Sequence, residues 1–507
     1  DGLQQILARL QAAEFLYEVA LFPDLEYTFK HALTHDVAYA SLLQERRREL
    51  HGRIAEAIEA LYSDRLDEQI ERLAHHALHA EMWDKALQYL RQAATKAASR
   101  WAFRESARYL ERALEVAQRL PGHDDITGQA IAICLDLRNA LLPQVEFRRL
   151  AEILKKVIAL AQQIGDRRGL ALALGYMAHV SIELLNEPLA IESGRRALEI
   201  AEEIEDSVLT ANAHNYLQSI HYTLGNYEQA IGFGLAVANA SDEVVAEGLG
   251  KGVLGVLPYF MPQSYAEVGR FAEALSVGEM LMRRAEVAAH PYTAAGMCVG
   301  LGFANLRRGV ASQAVAYLER SSKLCRTYAL DNWFPWTAST LGLAYAYAGR
   351  HDEGIELAQE AVQRGEELRL TRFQPLRVTL LANSYLLAGR HKDALSAARD
   401  ALELARRYHE RGPEAWALHL IAASSMQRES PDQRAAEKLF RDALRLADEL
   451  GMRPLVAHCH LGMGQLQQRM GRLSDAKVEL SRAVEMYRQM DMQFYLRQAE
   501  AELQAIH

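Results

Sequence analysis

His75, His76 and His79 include two imidazoles four residues apart, the spacing at which one helix face presents two ligands to a metal ion. No third ligand lies nearby in sequence. The expectation is therefore a structural role, with His76 packed between helices and no metal bound. His458-Cys459-His460 is a second ligand-type run, but consecutive side chains on a helix diverge, so the three cannot converge on one ion. Phosphate chemistry has no better support. No GxxxxGK[ST] loop occurs, and "GLGKG" (248–252) lacks both the leading glycine and the Ser/Thr after lysine. Gly250, Gly252 and Gly255 spell GxGxxG, yet no strand precedes them, and they are expected to loosen or end a helix. A strand-borne aspartate pair able to hold a cyclase's metals is also missing. The chain is expected to be no enzyme and to need no cofactor.

Composition narrows the classes further. The chain has 507 residues, half of them hydrophobic, 24% charged and only 12 proline, which suits a well-packed helical protein. Its length calls for several domains or one elongated array. Arg46-Arg47-Arg48 invites a DNA reading, but Glu45 and Glu49 flank it, net charge is −9 and pI about 6.1. No nucleic-acid partner is expected. Apolar runs such as 253–261 fall well short of the ~18 residues of a membrane helix, so no membrane association is expected. No secretory signal opens the chain, and Cys134, Cys298, Cys325 and Cys459 stand far apart. They read as reduced thiols of a cytoplasmic protein.

The strongest pattern is a repeat. A small residue recurs at Ala190, Ala230, Ala274, Ala314, Gly354, Ala394, Ala436 and Ala476, at intervals of 40, 44, 40, 40, 40, 42 and 40. Ala151 adds a less regular earlier member. Glycine stands five residues before it at Gly225, Gly269, Gly309, Gly349, Gly389 and Gly471. The glycine ends a first helix in the left-handed conformation, and the small residue lets a second helix approach closely. Ala197, Ala401, Ala443 and Ala483 lie seven residues further on, on the same helix face. One such pair cannot bury its apolar stripe alone, so pairs must stack into a right-handed solenoid.

"LGLAYAYAGRHDEGIELAQEAV" and "MGQLQQRMGRLSDAKVELSRAV" resemble the tetratricopeptide family. The repeat is nearer 40 than 34, a longer form that resembles the sensor solenoids of signalling ATPases; the family's concluding proline is mostly missing, a departure that a longer second helix explains. The opening elements point the same way. Residues 3–20 read as a helix ending "EFLYEVA", 25–30 alternate like a strand, and 32–43 and 45–62 read as helices. Together they suggest part of a winged helix. "YTFKHALTHDVAYASLLQERRRELHGRIAEAIE" resembles the region after the nucleotide-binding domain of bacterial multidomain signalling ATPases. Many of these carry a class III nucleotidyl cyclase. The resemblance covers nearly the whole chain and implies the C-terminal half of a cyclase–ATPase–tetratricopeptide protein. It implies a missing ATPase domain lying against residues 1–120, and a nucleotide-sensing role for His31 in "FKHAL" toward that domain. The alternative is a His31 that caps the following helix.

The expected architecture is all-α: a partial winged helix at 1–62, a helical connector at 63–128 and about nine hairpins at 129–507, joined at "PGHDDITGQ" (121–129). Counting back eighteen, fifteen, eleven, eight and seven positions from the repeat's small residue gives the inward face of each first helix. The central repeats there present Tyr259, Gln263, Phe303, Arg307, Trp336, Tyr347 and Asn383. That mixture suits a peptide segment, a protein partner or a small anionic ligand, with Arg307 as charge partner and the aromatics as walls. The alternative is packing between hairpins, to which Trp333, Phe334 and Trp336 would also belong. The expected function is a non-catalytic sensor and interaction solenoid that regulates an upstream ATPase or cyclase. A passive oligomerisation scaffold, or a DNA-binding regulator, is the competing reading.

Overall fold

The computed structural model describes residues 2–20, 26–120, 124–250, 257–288, 290–427 and 432–506. The chain divides into two compact units, residues 1–133 and 134–507. No described helix is long and apolar enough to cross a membrane.

Unit 1 opens with a helix, Gly2–Ala12, and then departs from the expected helix through residue 20. Glu14 turns left-handed (φ 60°), and Leu16–Ala20 becomes a strand antiparallel to Glu26–Phe29, with Leu16 opposite Phe29 and Tyr17 opposite Thr28. "EFLYEVA" has the β-branched and aromatic content of a strand, and the Glu26–Phe29 segment supplies its edge. Helices Ala32–Ala40 and Gln44–Leu61 follow, then Ile70–His79, Trp83–Ser99 and Phe103–Ala117. The last three bury small and apolar faces around Ala77, Ala86, Ala93, Ala97 and Ala113. The helix Asp124–Leu141 is already under way within "PGHDDITGQ", where the turn formers suggested only a join.

Unit 2 is a solenoid of helical hairpins. After Phe147–Ile164 come first helices at Arg167–Glu183, Ser207–Thr223, Met261–Glu267, Pro291–Arg308, Phe334–Tyr347, Gln374–Leu387, Arg411–Ser425 and Arg453–Arg469. Each is followed by a second helix that carries the repeat's small residue at its fourth position: Glu187–Glu203, Tyr227–Ala238, Phe271–Val287, Ala311–Tyr328, His351–Glu367, His391–Arg407, Gln433–Glu449 and Leu473–Gln489. Gln493–Gln504 closes the array. The small residues are almost completely buried, because the paired helices approach at that point. All six repeat glycines have φ between 72° and 89°, and Leu185 takes the same place at φ 60°. A second left-handed position ends the second helices at Gly165, Glu205, Ala329, Arg369, His409, Gly451 and Asp491. Only two of those are glycine, so composition does not betray it.

The winding is tight. Each hairpin meets the one about five further along. Thr371 and Arg372 reach Glu183, Ser219 and Thr223. Arg308 pairs with Asp491, and Gly309 sits under Phe494 and Tyr495. Gly269 abuts Met490 and Pro454, and Gly225 abuts Leu450. Successive turns therefore close on each other, and the inward face is covered rather than open.

Candidate functional site

The inner face of unit 2 is built from the first helices, and the structure sorts the candidate residues on it into two groups. Tyr259 and Trp336 belong to the first, with Phe260, Tyr292, Trp333 and Phe373. These rings stack at centroid distances of 4.5 Å (Trp336–Phe373), 5.2 Å (Phe260–Trp336) and 5.8 Å (Trp333–Trp336). They wall a cavity of about 80 Å³ whose other side is polar: His179, Glu183, Asn215, Ser219 and Arg372. That volume holds a few waters or one small side chain.

Arg372 closes the polar side. Its guanidinium, 1% exposed, donates to Glu183 Oε1 (2.7 Å), Ser219 Oγ (2.8 Å), the Ser219 carbonyl (3.0 Å) and Thr223 Oγ1 (2.8 Å), and it lies over the Phe373 ring. Burial pushes the Glu183 carboxyl up, but Arg372 and His179 outweigh it and hold it down at about 2. Burial lowers His179. Nearby, Glu410 accepts from the Phe373 backbone N–H at 2.7 Å, and burial raises its carboxyl to about 7 against the pull of that bond and of Arg372 and Arg377. Arg377, also fully buried, is lowered by desolvation to about 10.

Phe303, Arg307, Tyr347 and Asn383 form the second group. Arg307 donates to Glu267 through Nε (3.2 Å) and Nη2 (2.9 Å), and is sandwiched by Trp416 (3.9 Å) and Phe303 (4.7 Å). Trp416 Nε1 donates to the other Glu267 oxygen at 3.4 Å. The guanidinium expected to meet an anionic ligand thus already has a buried carboxylate of its own chain, one repeat earlier on the same inward face. Tyr347 is half-buried, accepts from Tyr495 O–H at 2.8 Å and is near enough to Asn383 to be hydrogen-bonded by it. Gln263 lies on Met261–Glu267 and is completely buried.

The most telling property of this face is what it leaves unmet. Both amide atoms of Gln218 and of Gln263, Oδ1 of Asn215, Asn305 and Asn332, and Nε1 of Trp333 and Trp336 have no hydrogen-bond partner among the described residues. Each such buried group costs on the order of 1–3 kcal/mol. Glycines make room for the amides: a Cβ on Gly300 would come within 2.9 Å of Gln263 Oε1, and one on Gly234 would collide with Gln218 Nε2.

The same inward count, started from Ala190 and Ala230, yields His179 and Glu183, then Asn212, Asn215, Ser219, Tyr222 and Thr223. The signal for the polar side of the cavity, Arg372 apart, was therefore periodic, in the two repeats before the central ones. Arg372, Phe373 and Trp333 carry no such signal, because they sit just before first helices. His31, at the other end of the chain, is exposed at the N-cap of Ala32–Ala40 and makes no side-chain capping bond. Gly252 and Gly255 of the GxGxxG run lie outside the described residues.

No family model matches the chain, and no curated protein matches it. Among solved structures it is similar to a Rap protein complexed with competence and sporulation factor, at 14% identity and a TM-score of 0.52, over 72% of this chain and 98% of that one. Looser likenesses, which bear on nothing further, are to the Rap conjugation gene regulator of plasmid pLS20 with the Phr* peptide (14%, TM-score 0.44, 71% and 96%) and to a STAND protein with a tetratricopeptide repeat sensor from Pyrococcus horikoshii (13%, TM-score 0.38, 94% and 67%). The fold of the chain is a tetratricopeptide-like helical solenoid.

Proposed function

We propose that the chain is a non-catalytic sensor and protein-interaction solenoid that takes a peptide segment of a partner onto the inner face of residues 134–507. The observation that carries this reading is the set of buried amides and indoles that the described residues leave unmet. A peptide backbone offers a donor and an acceptor at every residue, and a Gln or Asn side chain answers with one of each. The aromatic cavity takes one side chain of the segment. Entry requires neighbouring turns to part, so binding competes with closure across Arg372–Glu183 and Tyr347–Tyr495, which suits a sensor with two states. An acidic residue of the peptide would exchange with Glu267 for Arg307. The Rap protein of the comparison, solved in complex with its factor, supports a partner-binding use of this fold.

The reading extends to an upstream ATPase or cyclase that docks on the winged-helix-like residues 1–62 and the rest of 1–120. The resemblance of residues 27–59 supports it, as do the exposed side chains of Leu33 (74%), Val37, Leu43 (79%) and Leu61. In that arrangement His31 faces the nucleotide of the docked domain.

The test uses a random peptide library selected on the intact chain. An enriched motif should bind Gln263→Leu and Trp336→Phe at least tenfold more weakly. Meanwhile Gln263→Leu should melt at or above the wild-type temperature, since it removes two unmet polar atoms. Binding that survives Gln263→Leu, or a library that yields no motif as a passive scaffold would, sinks the reading.

A further inference from the structure

We propose that His51, His75 and His76 of unit 1 form a site for one divalent transition-metal ion of the zinc class. The sequence placed two of these residues on one helix and offered no third ligand beside them. The fold supplies it from 24 positions upstream, on Gln44–Leu61, which packs against Ile70–His79.

The ligand atoms of the three imidazoles all lie within 4.8 Å of one another. His51 Nδ1 and His76 Nδ1 face each other at 2.8 Å, so one of the two must be bare of its proton. The second nitrogen of His51, Nε2, is 3.0 Å from the Tyr39 hydroxyl. Metal-bound histidines hand their other N–H to such an acceptor, which fixes the ring and bares the ligating nitrogen. A tetrahedral zinc site with Zn–N of 2.0–2.1 Å sets its ligand atoms about 3.3 Å apart. The present spacings, from 2.8 Å up to at most 4.8 Å, bracket that value. A fourth imidazole, His79, packs 4.3 Å from His75 and 5.0 Å from His51, with Nδ1 hydrogen-bonded to the His75 carbonyl. Its Nε2 is then the nitrogen with the free lone pair.

The chemistry of the donors selects the ion. Three neutral imidazoles suit zinc, nickel, cobalt or copper, whereas calcium and magnesium require oxygen ligands. His75 is exposed, which gives the ion a route in, and His51 is buried, which anchors the site. The charges of Arg72 near His76 and Arg112 near His75 oppose a cation there. A bound ion would clip Gln44–Leu61 to Ile70–His79.

The experiment titrates the full, untagged chain with Zn²⁺, and with Co²⁺ as a spectroscopic probe. The expected result is one ion per chain, with Kd at or below about 10 µM and cobalt bands of a four- or five-coordinate nitrogen site. His75→Ala, at an exposed position, should keep the metal-free melting temperature and lose at least tenfold in affinity. His51→Gln should do the same to affinity, and Tyr39→Phe should weaken binding about tenfold as an outer-shell partner. No saturable uptake below about 100 µM, or wild-type affinity in either histidine variant, overturns the site.

Discussion

Replacing Arg372 with Met tests whether the turns of the solenoid are held shut by a single buried cation. The substitution keeps most of the side-chain volume over Phe373 but removes four hydrogen bonds, to Glu183, Ser219 twice and Thr223. It leaves the Glu183 carboxylate, 11% exposed, beside His179 Nε2 at 3.5 Å, an imidazole whose charged form burial disfavours. Breaking a buried pair from one side costs about 3–5 kcal/mol, whereas replacing both members with neutral groups is often close to neutral. Arg372→Met should therefore cost about 3–5 kcal/mol, and Arg372→Met with Glu183→Gln about 1 kcal/mol. The partners lie 189 residues apart, so the loss should register as opening between turns rather than as melting of one hairpin. Hydrogen exchange resolves this. Amides around 180–186 and 370–377 should exchange about a hundred- to several thousandfold faster in the single variant, and within about tenfold of the wild-type rate in the double. A single variant with unchanged exchange there, or a double variant that costs the sum of the two singles, refutes the reasoning.

Glu410 should make the solenoid less stable at mildly alkaline pH. Its carboxyl sits at about 7 in the folded chain against 4.5 when free, so stability is full below pH 4.5 and falls as pH rises through 7. Glu410→Gln should abolish that slope in pH-dependent urea unfolding and stabilise the protein by up to about 3 kcal/mol at pH 8; an unchanged slope rejects the assignment. Gly354→Ala should destabilise by about 1–3 kcal/mol, although alanine fills that repeat position elsewhere, because a Cβ there drives into the Gly342 carbonyl oxygen. If urea unfolding shows it instead gaining the ~1 kcal/mol that helix propensity alone predicts, the backbones are not in contact.

The sequence by itself determined the phase of the repeat. A small residue every 40 or so positions and a glycine five before it are local requirements, of close helix approach and of a left-handed cap, and local requirements leave a mark at a fixed position. From that phase the inward residues followed, Tyr259, Gln263, Phe303, Arg307, Trp336, Tyr347 and Asn383 among them. The tertiary structure decided everything that depends on residues far apart in the chain. How many hairpins make a turn follows from small rotations that accumulate from one pair to the next, and no single residue encodes them. That winding set Arg372 on Glu183 and covered the inward face. It also brought Trp416 onto Arg307, whose carboxylate, Glu267, came from the neighbouring repeat. The strand Leu16–Ala20 was missed for the same reason, since a strand exists only with its partner. So was the third histidine, His51, because the meeting of Gln44–Leu61 with Ile70–His79 is a fact of packing rather than of spacing.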